Sequence, residues 1–418
     1  MPTISIIRDQ LFRELGRKYT DEEFDELCFR FGIELDETTE RELSGKDTGS
    51  DEVVYKIDIP ANRHDLLCIE GLSQALNVFL GRVSMPKCKL NKPEKFEEIV
   101  IETSTQSIRP YVVGAVLRNV TLDAARYNSF IDLQEKLHHN VCRKRSLVAI
   151  GTHDLDTIQG PFIYRALPAQ QIKFRALNRD EEFNGAELLE QYKSDAHLKA
   201  FVPLVIDSPV IPVIQDSNGV VLSMPPIINS YHSRITLNTR NIFIECTATD
   251  HTKALVVLDT LVCLFSRYCE KPFEIESTRV KNSAGEARLY PALESRSMQV
   301  EPEKINRLVG VKLKTDEIAD LLTKMCLTCQ VDNDASLKVE IPPLRHDVLH
   351  ACDVAEDVAI AYGYNNITET LPTSATFAAQ NPLNKLTDQL REQLAQAGFT
   401  EALTFALVIL IKLNHHLY

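Results

Sequence analysis

One pattern occurs twice in the chain, and it limits the architecture more than any other feature. Reading Ile59 against Ile341 without a gap, Ile59/Ile341, Pro60/Pro342, Arg63/Arg345, His64/His346, Asp65/Asp347, Leu67/Leu349 and Gly81/Gly363 are identical. Upstream, Lys56 matches Lys338 and Asp58 faces Glu340. The helix starts Thr20-Asp21-Glu22 and Thr315-Asp316-Glu317 correspond as well. Each copy reads helix, loop, strand, IPxxRHD turn, helix. A repeat this widely separated predicts two similar small domains flanking a larger insertion.

The turn has a mechanical reading. Pro60 and Pro342 end their strands because they cannot donate to a ladder. Asp65 and Asp347 are placed to cap the next helix, or to pair with Arg63 and Arg345. The copies differ in their acids. The second carries Asp353, Glu356 and Asp357 where the first has Gly71, Gln74 and Ala75. Positions i, i+3 and i+4 share a helix face, where three carboxylates repel unless something neutralises them. Two readings stay open: a Mg²⁺ site with Asp347 as fourth oxygen donor, or a capping box at Asp353-x-x-Glu356 with a solvated Asp357.

The rest of the chain divides around these copies. Thr20 and Glu23 form a capping box, Phe24, Leu27, Cys28 and Phe31 make one apolar stripe, and Gly32 stops the helix. Residues 37–52 read as a polar loop, and a helix runs from about Leu66 to Leu80. A Lys/Pro linker at 86–93 closes a first domain, 1–90. Between 95 and 290 the texture becomes β-rich, with runs at 111–120, 147–155, 201–206, 209–214, 219–224 and 241–248. Helices are predicted near 127–143 and 250–270, and a hairpin turn at Gly219. A third domain covers 296–372. A Pro/Ser/Thr boundary follows, then an amphipathic helix from Leu383 to Ala397, and FTEALTFAL opens a strand.

At 418 residues the chain needs more than one core. Its net charge of −13 excludes a general nucleic-acid binder, so RNA contact has to be a local patch. Arg143-Lys144-Arg145 is the one tight basic triplet. The ten cysteines are scattered; Cys326 and Cys329 alone do not make a zinc motif, and a reduced, cytoplasmic setting is expected. Neither a secretory leader nor a membrane span is visible.

With these motifs in view the chain resembles the β subunit of the archaeal/eukaryotic cytosolic phenylalanine–tRNA ligase. RHDVLHACDVAEDVAIAYGYNNI resembles that subunit's metal-associated module, and KIDIPANRHDLLCIEGL its N-terminal module. HNVCRKRSLVAIGTHDLD and PPIINSYHSRITLNTRNIFIECTATDHTKA resemble its editing domain. NPLNKLTDQLREQLAQAGFTEALTFAL resembles the start of a catalytically inert class II synthetase-like domain. The implied fold is α+β and multidomain: two winged-helix-like modules flanking a mixed α/β editing domain, plus that class II start at 383–418.

The resemblance implies a heterotetramer of two α and two β subunits. There, α activates phenylalanine with ATP, and β binds tRNA(Phe) and hydrolyses tRNA mischarged with tyrosine. It credits Asp347, Asp353, Glu356 and Asp357 with a magnesium ion shared with α. Editing candidates are Asn229, Ser230, His232, Arg234, Thr236 and His153, with Arg143, Lys144 and Arg145 as RNA contacts. The tail 408–418 departs from the family, so a C-terminally truncated subunit is expected. No Gly-rich phosphate loop or class II ATP motif is present, so this chain alone should not activate an amino acid. A free-standing editing hydrolase and a non-enzymatic RNA- or protein-binding scaffold remain as alternatives.

Overall fold

The computed structural model describes residues 2–41, 52–333, 336–371 and 378–404. It contains two compact units, Met1–Thr368 and Glu369–Tyr418. In the second, helix Pro382–Gln396 begins with Asn381 capping Leu383 N–H and Pro382 in the first turn, where a missing N–H does no harm. Of FTEALTFAL, residues 399–404 form no regular element and the rest lies outside the described residues.

The repeat is real and larger than its sequence trace. The N-terminal module runs strand Thr3–Ile7, helices Arg8–Leu15 and Asp21–Phe31, strands Glu34–Arg41 and Glu52–Asp58, and helix Ile69–Phe79. The third module runs strand Arg296–Val300, helices Pro302–Val309 and Thr315–Lys324, strands Thr328–Asn333 and Ser336–Ile341, and helix Ala351–Tyr362. In both sheets the last strand lies in the middle, antiparallel to its two neighbours.

Several local expectations hold. Thr20 and Glu23 form the capping box, Phe24, Leu27, Cys28 and Phe31 are the buried stripe, and Gly32 ends the helix at φ 87°. Others need correction. Residues 37–41 belong to strand Glu34–Arg41 rather than a loop, because the strand pairs with Glu52–Asp58 on an exposed edge where polar side chains are tolerated. Residues 42–51 lie outside the described residues. The 201–206 run forms a 3-10 turn at Val202–Leu204, since Pro203 removes a ladder donor; Phe201, Val202 and Val205 are buried, while Leu204 and Ile206 are exposed.

The middle of the chain builds an eleven-stranded mixed sheet. Strand Ile242–Ala248 lies antiparallel between Tyr111–Leu117 and Val148–Asp154, and all seven of its residues are buried. Helices Ala124–His139 and His251–Phe265 pack on this part. Gly219, at φ 79°, turns the hairpin between Ile211–Gln215 and Val221–Met224. A second apolar cluster gathers Phe174, Leu188, Tyr192, Val213 and Met224 around helix Gly185–Tyr192.

The two repeat modules pack on each other through equivalent elements. Helix Asp21–Phe31 contacts Ala351–Tyr362, and Ile69–Phe79 contacts Thr315–Lys324. That reciprocity is the signature of an isologous contact, here within one chain. The two RHD turns meet at its centre. Arg63 grips Asp65 with two hydrogen bonds of 2.9 and 2.8 Å. Arg345, 1% exposed, grips Asp347 at 2.9 and 2.7 Å and reaches Asp357 at 2.8 Å. Its Nη1 donates to the Met325 carbonyl. Arg63 and Arg345 lie within electrostatic reach of each other and of each other's aspartate. The aspartates therefore do not cap the next helix; the arginines hold them.

Burial pushes the Asp357 carboxyl up to about 6, against the pull of Arg345 and Arg63. With a folded pKa above the ordinary ~3.9, this group stabilises the fold fully below about pH 4 and loses that contribution as pH rises through 6. Asp357→Asn should erase this pH-dependent part, read as the wild-type minus variant difference in urea unfolding free energy across that window. Arg345→Ala, which leaves two buried carboxylates unpaired, should destabilise the first unit by about 3–5 kcal/mol. A loss under about 1 kcal/mol, the range of exposed ion pairs, would contradict the burial described.

Candidate editing cleft and metal-associated module

A cleft of about 370 Å³ opens beside strand Ile242–Ala248. Ile131, Ala149, Ile150, Pro226, Ile227 and Ile235 give it an apolar wall. Glu245 also lines it, a carboxylate with 1% exposure in the middle of a buried strand. Its Oε1 accepts from Ser223 Oγ at 2.8 Å and lies 3.7 Å from His153 Nε2. Its Oε2 has no hydrogen-bond partner. A buried carboxylate oxygen without a donor is costly, so one on a residue that lines a cleft is a recognition group in waiting.

Neighbouring strands make room for this carboxylate. Gly151 stands directly across from Glu245, and a Cβ there would sit 2.0 Å from Glu245 Oε1. Helix Ala124–His139 packs on the same strand and adds Gln134, Glu135 and His138 to the lining. His138 Nε2 accepts from Ile150 N–H at 3.0 Å, so the proton sits on Nδ1, 3.5 Å from Glu135 Oε1. Burial holds the His138 pKa down to about 4, which keeps the ring neutral at pH 7. Contact with that ring, and Arg145 at 3.0 Å, holds Glu135 down to about 2.

The anticipated editing residues fall into two groups. Asn229 and Arg234 line the cleft. Ser230, His232, Thr236 and His153 do not; they shape its surroundings. Ser230 Oγ donates to the Arg175 carbonyl, His232 Nε2 reaches the Thr157 carbonyl at 2.9 Å, and Thr236 Oγ1 accepts from Asn238 N–H. His153 is fully buried behind Glu245, bonded to Ser233 Oγ at 2.8 Å. Of the basic triplet, Arg143 and Lys144 are exposed. Arg145 turns inward, donating to the Ile227 carbonyl and Glu135 and lying 4.2 Å over Phe201, so it is a wall of the cleft. All three take left-handed backbone, at φ 46°, 51° and 63°, in the turn beyond the preceding helix, which ends at His139 where Asn140 leaves the helical conformation at ψ −97°.

The four acids expected around magnesium are not gathered. Asp347 and Asp357 share Arg345. Asp353 accepts from the Leu349 and His350 N–H groups at 2.7 Å each, capping its own helix, and Glu356 is exposed. Among the described residues no three or more His, Cys, Asp or Glu side chains are placed to hold a metal ion. The donors do not fit a four-acid cage, because a guanidinium already neutralises two of them. No step below runs through magnesium.

Comparison with known proteins agrees with this layout. Family models match in series: the Phe-tRNA synthetase beta subunit B1 domain at residues 1–82, the B3/4 domain at 108–270, the tRNA synthetase B5 domain at 298–364 and the phenylalanyl tRNA synthetase beta chain CLM domain at 367–412. This is the domain series of an aminoacyl-tRNA synthetase subunit. The phenylalanine–tRNA ligase beta subunit of Drosophila melanogaster is 57% identical over 416 residues, covering 97% of this chain and 70% of that protein. The cytoplasmic one of Arabidopsis thaliana is 52% identical over 421 residues, covering 97% and 70%. The crystal structure of an N-terminal fragment of the phenylalanyl-tRNA synthetase beta subunit from Pyrococcus horikoshii superposes with a TM-score of 0.78 at 32% identity, covering 86% of this chain and 99% of that one. The chain belongs to the phenylalanine–tRNA ligase β-subunit family.

Sequence reasoning missed Glu245, Ser223, His138 and Glu135. One signal was available: a charged residue inside the otherwise apolar strand NIFIECTA. Gly151→Ala should displace the Glu245 carboxylate and lower stability by about 1–3 kcal/mol, as overpacking does. The check is a shifted urea midpoint at unchanged m-value. No shift would mean that the carboxylate has other space to occupy.

Proposed function

We propose that the chain serves phenylalanine–tRNA ligase as its proofreading subunit, and that the Glu245 cleft removes tyrosine from mischarged tRNA(Phe). The partnered enzyme, with an α subunit that activates phenylalanine using ATP, carries out the synthetic half. The proposed division of labour is by segment. Residues 1–90 and 296–372 act as winged-helix-like modules for assembly and RNA contact, 95–290 as the editing domain, and 383–418 as the start of a class II synthetase-like domain. The setting is the cytoplasm; no helix among the described residues is long and apolar enough to cross a membrane.

One observation carries the reading: the unpartnered Glu245 Oε2 at an apolar cleft. A tyrosine ring fits against Ile131, Ile150 and Ile227, and its hydroxyl supplies the missing donor. Phenylalanine fits the same walls but leaves the carboxylate buried and unpaired. Sites built to bond a hydroxyl reject the analogue lacking it by up to about 10⁴–10⁵. Ester hydrolysis further needs an oriented water. Asn229 and Thr152 are uncharged polar groups on the same cleft and serve to hold it. Neutral His138, with its proton on Nδ1, offers a donor to the developing oxyanion. Exposed Arg143 and Lys144, close in sequence to the Arg145 wall, contact the RNA backbone.

Glu245→Ala should slow hydrolysis of Tyr-tRNA(Phe) by about 10–100-fold, the worth of a hydrogen bond to a charged group. Hydrolysis of Phe-tRNA(Phe) should not fall. Parallel deacylation assays read both. An equal loss on both substrates would reject Glu245 as the discriminating group.

A further inference from the structure

Tyr231 sits beside the cleft in an arrangement that a merely structural residue does not need. The Arg175 guanidinium lies 3.5 Å from its ring centroid, and so does that of Arg234. One face cannot hold both at that distance, so the ring is sandwiched between two cations. One cation on a tyrosine face is favourable; a second brings like charge close to the first. Arg175 has Asp180 at 3.4 Å, but that carboxylate is fully exposed and well screened. Arg234 has no acid within ion-pair distance among the described residues. In a chain of net charge −13, this is local positive charge whose one ion-pair partner is an exposed, screened carboxylate.

The stack is held rigidly. Tyr231 N–H donates to the Arg175 carbonyl at 2.9 Å, and Arg175 Nε donates to the Arg179 carbonyl at 2.8 Å. Two residues on, Ser233 accepts the Asp154 N–H at 2.8 Å through its carbonyl and bonds His153 through its hydroxyl. Arg234 Nη1 donates to the Tyr231 carbonyl at 3.0 Å. That leaves the Nε–Nη2 edge, the fork that binds phosphate through two parallel hydrogen bonds. Arg234 lines the cleft as Glu245 does.

We propose that Arg234, held flat on Tyr231 and backed by Arg175, grips a phosphodiester at the 3′ end of the aminoacylated RNA whose amino acid enters the cleft. This rests on the editing reading. The stack then adds charge recognition to a pocket whose Glu245 reads only the amino acid. Arg234 acts as a binding residue, because the fork holds the RNA and leaves the ester bond to other groups.

The test uses the full chain, Tyr-tRNA(Phe), and 3′-O-tyrosyl-adenosine, a substrate with the same ester and no phosphate. Arg234→Ala should raise KM for Tyr-tRNA about tenfold or more, with kcat unchanged, and affect tyrosyl-adenosine hydrolysis several-fold less. The salt slope of log KM should shrink by about 0.7, the share of one single-strand phosphate. Arg234→Lys, which keeps the charge but not the fork, should recover most of the salt slope and little of the KM. Unchanged melting temperatures exclude misfolding. Equal loss on both substrates, no effect on either, or full rescue by lysine would overturn the proposal. Wild type that hydrolyses neither substrate would instead overturn the editing reading, and this proposal with it.

Discussion

The Met1–Thr368 unit is organised around charges that it has buried. Two arginines and three aspartates meet where the RHD turns face each other, and Arg345 is the largest fully buried side chain among the described residues. Desolvating such groups is expensive, and only complete hydrogen bonding offsets it. Every acidic member has a guanidinium partner, and Arg345 Nη1 donates to a backbone carbonyl. These hydrogen bonds are made within each module, Arg63 with Asp65 and Arg345 with Asp347, Asp357 and the Met325 carbonyl, and each arginine adds electrostatic attraction to the other copy's aspartate.

That arrangement explains how the copies differ. Ala75 in the first copy corresponds to Asp357 in the second. The added acid gives Arg345 a second carboxylate, and burial leaves that acid on the edge of protonation. The repulsion expected among three acids on one helix face does not arise. Asp353 turns to the helix start, Glu356 to solvent and Asp357 to Arg345. Carboxylate spacing along a helix states which face the groups share, not where each side chain ends. A nearby arginine from another turn answers the charge as well as a metal would.

The legible parts were those with local physical causes. The Thr20 capping box, the apolar stripe on Asp21–Phe31, the Gly219 hairpin and the IPxxRHD repeat each depend on residues close in sequence. The opening strands Thr3–Ile7 and Arg296–Val300 were not seen, because five residues at a sheet edge carry little period. The cleft was half legible. Within the segment 225–254 the sequence points to Asn229, Ser230, His232, Arg234 and Thr236, yet only Asn229 and Arg234 of these reach the cleft, and the rest brace the loop. Glu245, Ser223 and Gly151 come from three separated strands; sheet register sets Gly151 opposite Glu245, and Ser223 reaches it from a strand that does not pair with it.

The most direct measurement is a crystal structure of the chain bound to a non-hydrolysable tyrosyl-adenosine analogue. The phenolic oxygen should lie within hydrogen-bond distance of Glu245 Oε2, with the ring against Ile131 and Ile150 and the adenosine toward Arg234. A ligand bound elsewhere, or one whose phenol points to solvent while Glu245 Oε2 stays unpartnered, would contradict the assignment of this cleft.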